Sequence, residues 1–237
     1  MIKEAIILAG GLGTRLRDVV SDIPKSMAPV NGKPFLDYQL DYLDVFGINH
    51  VIMSVGYMRE HIMDHYGNKY KNTRIEYAIE NEPLGTGGAV KLAMQKVKGS
   101  SVYVLNGDTF YHIDYQKFLD IHYSRESKLS IVLREMDDIS RYGSIERDDD
   151  RRITGFWEKS EKSGAGLING GVYLINKAFF KKFDLPDKFS LEKDFFEKHY
   201  KQHKIYGILC RQYFIDIGVP EDYARAQDEF KEFEYFS

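Results

Sequence analysis

One cysteine, Cys210, stands among 237 residues, so the chain holds no internal disulfide and suits a reducing compartment. It falls in the strand-like run IYGILC and reads as a buried thiol packed as a small hydrophobe rather than as a nucleophile. An excess of one charge is lacking too. With 33 basic and 36 acidic residues the net charge is −3, which leaves no electrostatic footprint for nucleic acid or an anionic membrane surface. No apolar run approaches the length of a membrane span, and Met1-Ile2-Lys3-Glu4 leads straight into a strand without a leader, so a cytoplasmic protein is expected. Internal repeats, linkers and low-complexity stretches are missing as well. What remains is a chain long enough to bury one sizeable α/β core.

The most informative segment is LAGGLGTRL, residues 8–16, which follows the apolar run Ala5-Ile6-Ile7 and is followed by Pro24-Lys25. A buried strand emptying into Leu8, Ala9, Gly10, Gly11, Gly13 and Thr14 leaves backbone N–H groups uncovered, while Arg15 and Lys25 supply positive charge beside them. This is a phosphate cradle, and its expected occupant is a nucleoside triphosphate. Two better known phosphate loops do not fit. A dinucleotide fingerprint needs glycine where the chain has Leu16, which argues against a dinucleotide oxidoreductase, and no Gly-Lys-Ser/Thr tripeptide of a Walker A loop occurs.

Strand-like runs KEAIILA, HVIMSVG, RIEYAIE, SVYVLNG and LSIVLRE are separated by helical spacings, Leu36, Leu40, Leu43 and Phe46 in one case and Ala89, Ala93 and Val97 in another. The βαβ rhythm predicts a Rossmann-like, mostly parallel mixed sheet flanked by helices. Pro34 marks a helix start, and Thr86 precedes a helix over residues 87–97 that Gly99 ends. From about residue 140 β runs dominate, around Gly143 to Glu146, Ile153 to Trp157 and Ile168 to Ile175, before a helical tail from Glu221 to Phe233. Asp148-Asp149-Asp150-Arg151-Arg152 reads as a solvated hairpin tip. His61 and His65 are one turn apart on a predicted helix but have no third ligand in view, so they read as a surface pair.

In an open α/β sheet ligands sit at the carboxyl ends of the strands. Those ends are the glycine loop, ENEPLGTGGA at residues 80–89, Asn106-Gly107-Asp108, and a later strand in FIDIGVPEDY at residues 214–223. Together with Pro24-Lys25, these segments resemble the sugar-phosphate nucleotidyltransferases in the same order along nearly the whole chain. Through LAGGLGTRLRDVVSDIPKSMAPVNGKPF and ENEPLGTGGAV the similarity is greatest to guanylyltransferases acting on D-glycero-α-D-manno-heptose 1-phosphate. The resemblance implies one nucleotidyltransferase domain over residues 1–237, with a nucleotide-binding half to about 135 and a sugar-phosphate-binding half from about 136. It implies transfer of GMP from GTP to a sugar 1-phosphate, giving a nucleotide sugar for surface polysaccharide synthesis and releasing pyrophosphate. The same reaction on mannose, glucose or N-acetylmuramic acid 1-phosphate, or with UTP or dTTP, is the alternative. A non-catalytic nucleotide-sugar sensor is the reading from another class.

The resemblance also distributes roles. Lys25 contacts phosphate oxygens at the reacting end, and Arg15 the leaving pyrophosphate. Asp108 and Asp216 hold Mg²⁺, although each taken alone suits a turn or a cap. Pro83, Gly85 and Thr86 join the glycine loop around the nucleotide. Asn106, Gly143, Glu158, Lys159 and Asn169 hold the sugar phosphate, with Tyr142 and Gly170-Gly171 beside them. Two departures are visible: Ser26 stands where many relatives have a second proline, and little chain follows FIDIGVPEDY, so no β-helix domain is expected. The aromatic tail, Phe230, Phe233, Tyr235 and Phe236, could pack on its own core or on a second subunit.

Base choice follows from Glu80. Uridylyl-transferring relatives carry glutamine five positions before the glycine of the Leu-Gly pair. An ionised carboxylate only accepts hydrogen bonds, so it prefers guanine, with N1–H and N2–H₂ side by side, over uracil or thymine.

Overall fold

The computed structural model describes residues 2–11, 13, 16, 20–140, 142–158 and 163–231. Four parallel strands form its centre: β1 (Glu4–Leu8), β4 (His50–Val55), β6 (Thr73–Ile79) and β7 (Ser101–Asn106). Before β4 come a small hairpin, β2 (Pro29–Val30) with β3 (Lys33–Pro34), and helix α1 (Phe35–Val45); helix α2 (Arg59–Tyr66) and β5 (Lys69–Tyr70) lie between β4 and β6, and α3 (Gly85–Ala93) between β6 and β7. Continuous apolar runs suit β1, β4 and β7 because both faces are covered, whereas β6 alternates and leaves Arg74 and Ile79 exposed. Ala5 and Ile7 of β1 pack with Phe35, Leu36 and Leu40 of α1 on one face. Ile6 points the other way, to Val90 of α3. Full burial of each such leucine or phenylalanine contributes about 1.5–3 kcal/mol, so packing rather than helix propensity holds α1 in place.

The second part completes the same sheet. After β8 (Thr109–Tyr111) and helix α4 (Tyr115–Ser124) come β9 (Leu129–Met136), β10 (Ser144–Arg147), β11 (Ile153–Trp157) and β12 (Gly166–Asn176); α5 (Lys177–Phe180), a π-helical turn at Leu191–Phe196, α6 (Glu197–His199), β13 (Ile205–Leu209), β14 (Phe214–Asp216) and α7 (Pro220–Glu229) follow. Along one sheet the order is β13-β9-β12-β7-β1-β4-β6-β5, with β10 and β11 attached to the first part of β12. β12 runs antiparallel to β7 and β9, so the sheet is mixed. The expected division near residue 135 falls at the end of β9, whose partners β12 and β13 both come from the later part of the chain.

Register aligns the strand ends. Leu8, the last residue of β1, pairs with Ser54 on one side and Asn106 on the other, and Glu80 N, just past β6, donates to Val55 O at 2.8 Å. The loops after four strands therefore leave one edge at the same level.

Several expectations are corrected in detail. The helix expected over 87–97 starts at Gly85 and ends at Ala93. Thr86 is inside its first turn, with no side-chain cap at Leu84, and its hydroxyl is turned to another partner. Helix α7 ends at Glu229, and Phe230 packs on Tyr38, Phe35 and Phe110 of its own core; Phe233, Tyr235 and Phe236 lie outside the described residues. The acidic run 148–150 is the exposed tip of the β10–β11 hairpin, as expected. Cys210 is half-buried against the core rather than fully buried. Among the described residues no helix is long and apolar enough to cross a membrane.

Candidate active site

Lys25 stands where the glycine loop meets the ends of β7 and β14. Pro24 turns the chain into a short 3-10 turn, Lys25–Met27, and the ammonium, on a side chain 11% exposed, reaches Asp108 Oδ2 at 2.6 Å and Asp216 Oδ1 at 3.9 Å. Gly13 makes room for it. Its φ of +57° is a left-handed conformation open to glycine, and a Cβ there would come within 3.0 Å of Lys25 Cβ.

Both aspartates are held by neighbours rather than left as loose loop residues. Gly107 N donates to Leu8 O at 3.0 Å, which draws the turn after β7 onto the end of β1. From α1, Gln39 is 2% exposed and donates through Nε2 to Asn106 O at 2.8 Å and Thr109 O at 2.5 Å, bracketing Asp108. Ile217 N donates to Asp108 O at 2.9 Å, and Gly218 N to Asp216 Oδ1 at 2.7 Å. The antiparallel pair β14–β8 sets Asp216 opposite Thr109.

Lys25, Asp108 and Asp216 bring one ammonium and two carboxylates together at this point. The donors are hard oxygens and suit a hard divalent cation. Among the described residues no three His, Cys, Asp or Glu side chains cluster to hold a metal unaided. Any further ligands would be phosphate oxygens and water.

Three cavities meet around this edge. Lys25, Ser26, Asp108 and Gly218 line a small one of about 170 Å³ with Leu8, Ala9, Gly11 and Gly13. The hydroxyl of Ser26, at the departure from the proline pattern, is buried there without a hydrogen-bond partner. A second cavity, about 490 Å³, lies beyond the glycine loop and is lined by Gly10, Tyr57, Arg59, Glu80 and Pro83. Glu80 is 9% exposed; its Oε1 accepts from Ser54 Oγ at 3.0 Å and its Oε2 from Leu84 N at 3.1 Å. Gly10 lies flat against it, since a Cβ there would sit 2.6 Å from Oε1. An ionised carboxylate has about four acceptor sites, so Glu80 keeps capacity for donors on a ligand.

The third cavity, about 750 Å³, holds Asn106, Gly143, Glu158 and Asn169 together with Asp216. Tyr142, Gly170 and Gly171 line it too. Thr86 also faces it, away from Glu80 and Pro83. Its hydroxyl donates to Glu192 Oε2 at 2.6 Å and accepts from Leu191 N at 2.9 Å. The glycines of GTGG have a packing reason of their own. A Cβ on Gly85 would lie 2.6 Å from Phe189 O, and one on Gly88 2.1 Å from Asp187 O, while the amides of Gly87 and Gly88 donate to Phe189 O. The start of α3 is thus occupied by the strap at 187–189.

Thr14, Arg15 and Lys159 lie outside the described residues. The sequence reading missed Gln39, Tyr173 and Glu192. Gln39 carried a weak signal, an uncharged polar side chain between Leu36 and Leu40 on the apolar face of α1.

Comparison with known proteins finds relatives along nearly the whole chain. The nucleotidyl transferase family model matches residues 4–232. A D-glycero-alpha-D-manno-heptose 1-phosphate guanylyltransferase from Aneurinibacillus thermoaerophilus is 48% identical over 230 residues, 97% of this chain and 99% of the relative. One from Campylobacter jejuni subsp. jejuni is 47% identical over 220 residues, 93% of this chain and 96% of the relative. The crystal structure of HddC from Yersinia pseudotuberculosis complexed with GMP-PN superposes with a TM-score of 0.85 at 42% identity, covering 97% of this chain and 100% of that one. This chain belongs to the nucleotidyl transferase family.

Proposed function

We propose that the protein transfers GMP from GTP to D-glycero-α-D-manno-heptose 1-phosphate, forming GDP-heptose and pyrophosphate. The observation that carries this reading is the position of Lys25, which points its ammonium at two carboxylates between a glycine-lined cradle and a large polar cavity. On this reading the cavity of Glu80 takes the base, the cradle takes the triphosphate and the cavity of Asn169 and Glu158 takes the sugar. The full-length relatives named for heptose 1-phosphate guanylyl transfer, and HddC solved with GMP-PN, support both substrates.

The reaction joins an oxygen of the sugar phosphate to the α-phosphorus of GTP and breaks the bond from that phosphorus to the bridging oxygen of pyrophosphate. The attacking oxygen is already ionised near neutral pH, so no side chain has to take a proton. What the chain must supply is alignment of two polyanions and compensation of charge on oxygens around phosphorus. Lys25 is placed for that at the junction of the cradle and the sugar cavity, and Arg15 is assigned to the departing pyrophosphate. Asp108 and Asp216 would hold Mg²⁺, which when bound supplies Lewis-acid neutralisation of phosphate charge. Glu80 selects guanine, since its carboxylate accepts from adjacent N1–H and N2–H₂ but is repelled by the carbonyl oxygens flanking the N–H of uracil. The proposed location of the reaction is the cytoplasm, a reading supported by the nucleoside triphosphate substrate and by a single cysteine that suits a reducing compartment.

The test is pyrophosphate release from GTP and Mg²⁺ across a panel of sugar 1-phosphates, including heptose, mannose, glucose and N-acetylmuramic acid. Release with the heptose far above the others is expected. Tight GDP-sugar binding without any turnover would instead mark a sensor.

A further inference from the structure

Glu192 lies on the π-helical turn at Leu191–Phe196, at the wall of the 750 Å³ cavity, and it is 8% exposed. A buried carboxylate has to be compensated, and here the compensation is a set of neutral donors. Oε2 accepts from Thr86 Oγ1 at 2.6 Å and Ser190 Oγ at 3.1 Å; Oε1 accepts from Tyr173 Oη at 3.1 Å. Tyr173 is itself fixed, because its oxygen accepts from Asn169 Nδ2 at 2.8 Å while Asn169 Oδ1 accepts from Gly171 N at 3.0 Å. Burial and the neighbouring Glu192 carboxylate push the Tyr173 hydroxyl well above its ordinary pKa, so it stays protonated and donates.

A count of acceptor and donor capacity leaves two groups over. Three of about four acceptor sites on Glu192 are taken by these partners, leaving one on Oε1, and Asn169 Nδ2 retains one N–H. The two share Tyr173 Oη as a hydrogen-bond partner and both line the cavity, so they present an acceptor and a donor side by side. We infer that Glu192 is a specificity-determining residue which, with Asn169, reads two adjacent hydroxyls of the sugar, the first donating to Glu192 Oε1 and the second accepting from Asn169 Nδ2. This rests on the assignment of the cavity to the sugar 1-phosphate.

The test uses the intact protein and isothermal titration of sugar 1-phosphates, with steady-state kinetics beside it. Glu192→Gln should weaken binding of the sugar 1-phosphate about 10- to 100-fold, the loss expected for a charge-assisted hydrogen bond, while the KM for GTP stays within a factor of about two. Among monodeoxy analogues, wild type should discriminate strongly against loss of one hydroxyl, and Glu192→Gln should lose that discrimination, a change that a merely structural role would not produce. Should Glu192→Gln fail to fold, Tyr173→Phe replaces it, since removing the steering hydroxyl must also weaken sugar binding and spare GTP. Unchanged sugar affinity and unchanged discrimination in a folded variant would overturn the role of Glu192 alone. A wild-type protein that binds no sugar 1-phosphate would overturn the assignment of the cavity along with it.

Discussion

Lys25 Nζ lies 2.6 Å from Asp108 Oδ2, and the pairing joins residues 83 positions apart in the chain. On the proposed function, the side chain assigned to substrate phosphates rests on a carboxylate assigned to the metal.

Lys25→Ala should cost about 2–4 kcal/mol in the chemical step, the range for losing one preorganised electrostatic contact. Single-turnover rates with saturating substrates are the check. A normal rate with only weaker sugar binding would make Lys25 a docking residue.

Asp108→Ala should abolish turnover with little change in the far-UV spectrum, because its backbone is fixed independently by Gln39, Gly107 and Ile217. EDTA should do the same to wild type, and added Mg²⁺ should reverse it. Full activity of purified Asp108→Ala would remove this residue from metal binding.

The chain's own chemistry made part of this site legible. Apolar runs located β1, β4 and β7 within a residue or two, since strands buried on both faces leave that pattern, and β6 was legible from the alternation in RIEYAIE. Helix α4 escaped notice although Asp114 caps it by accepting from Lys117 N at 2.8 Å, because its buried Tyr115, Phe118, Leu119 and His122 mix aromatic and polar types. The turn at 191–196 was illegible for a different reason. Its buried Leu191, Glu192, Phe195 and Phe196 follow π-helical rather than α-helical spacing, and Glu192 acquires its meaning only from Thr86, 106 residues away. Thr86 was misread because a threonine before a helical pattern looks like a cap until its long-range partner is known.

His122, 1% exposed on α4, shares a hydrogen bond with Ser130 Oγ, and burial with the nearby Lys128 charge pushes its pKa down to about 4. In the unfolded chain it titrates near its ordinary value of 6.5. Above that value both states are neutral and the shift contributes nothing. As pH falls from 6.5 toward 4 the unfolded state takes up the proton first, so stability declines by up to about 3 kcal/mol and then levels off. Urea unfolding of wild type and His122→Gln between pH 7.5 and 4 should show a steeper acid loss in wild type. Parallel curves would contradict the assignment.

Glu80→Gln should lower kcat/KM for GTP by about 1–3 kcal/mol, the cost of leaving a buried polar group unsatisfied, and narrow the gap to UTP. The fold should hold, because the remaining carbonyl can keep Leu84 N and the Ser54 hydroxyl can rotate to accept from the new amide. Undiminished preference for GTP would show that the base is read by other groups.

Guanylyl transfer to a heptose is tested most directly by competition. Wild-type protein, Mg²⁺ and D-glycero-α-D-manno-heptose 1-phosphate are incubated with equal concentrations of GTP, UTP, ATP, CTP and dTTP, and the nucleotide sugars formed are identified by mass spectrometry. GDP-heptose as the dominant product, with an equal amount of pyrophosphate, is the expected result. A different nucleotide on the heptose, or no nucleotide sugar while the protein remains folded, would contradict it.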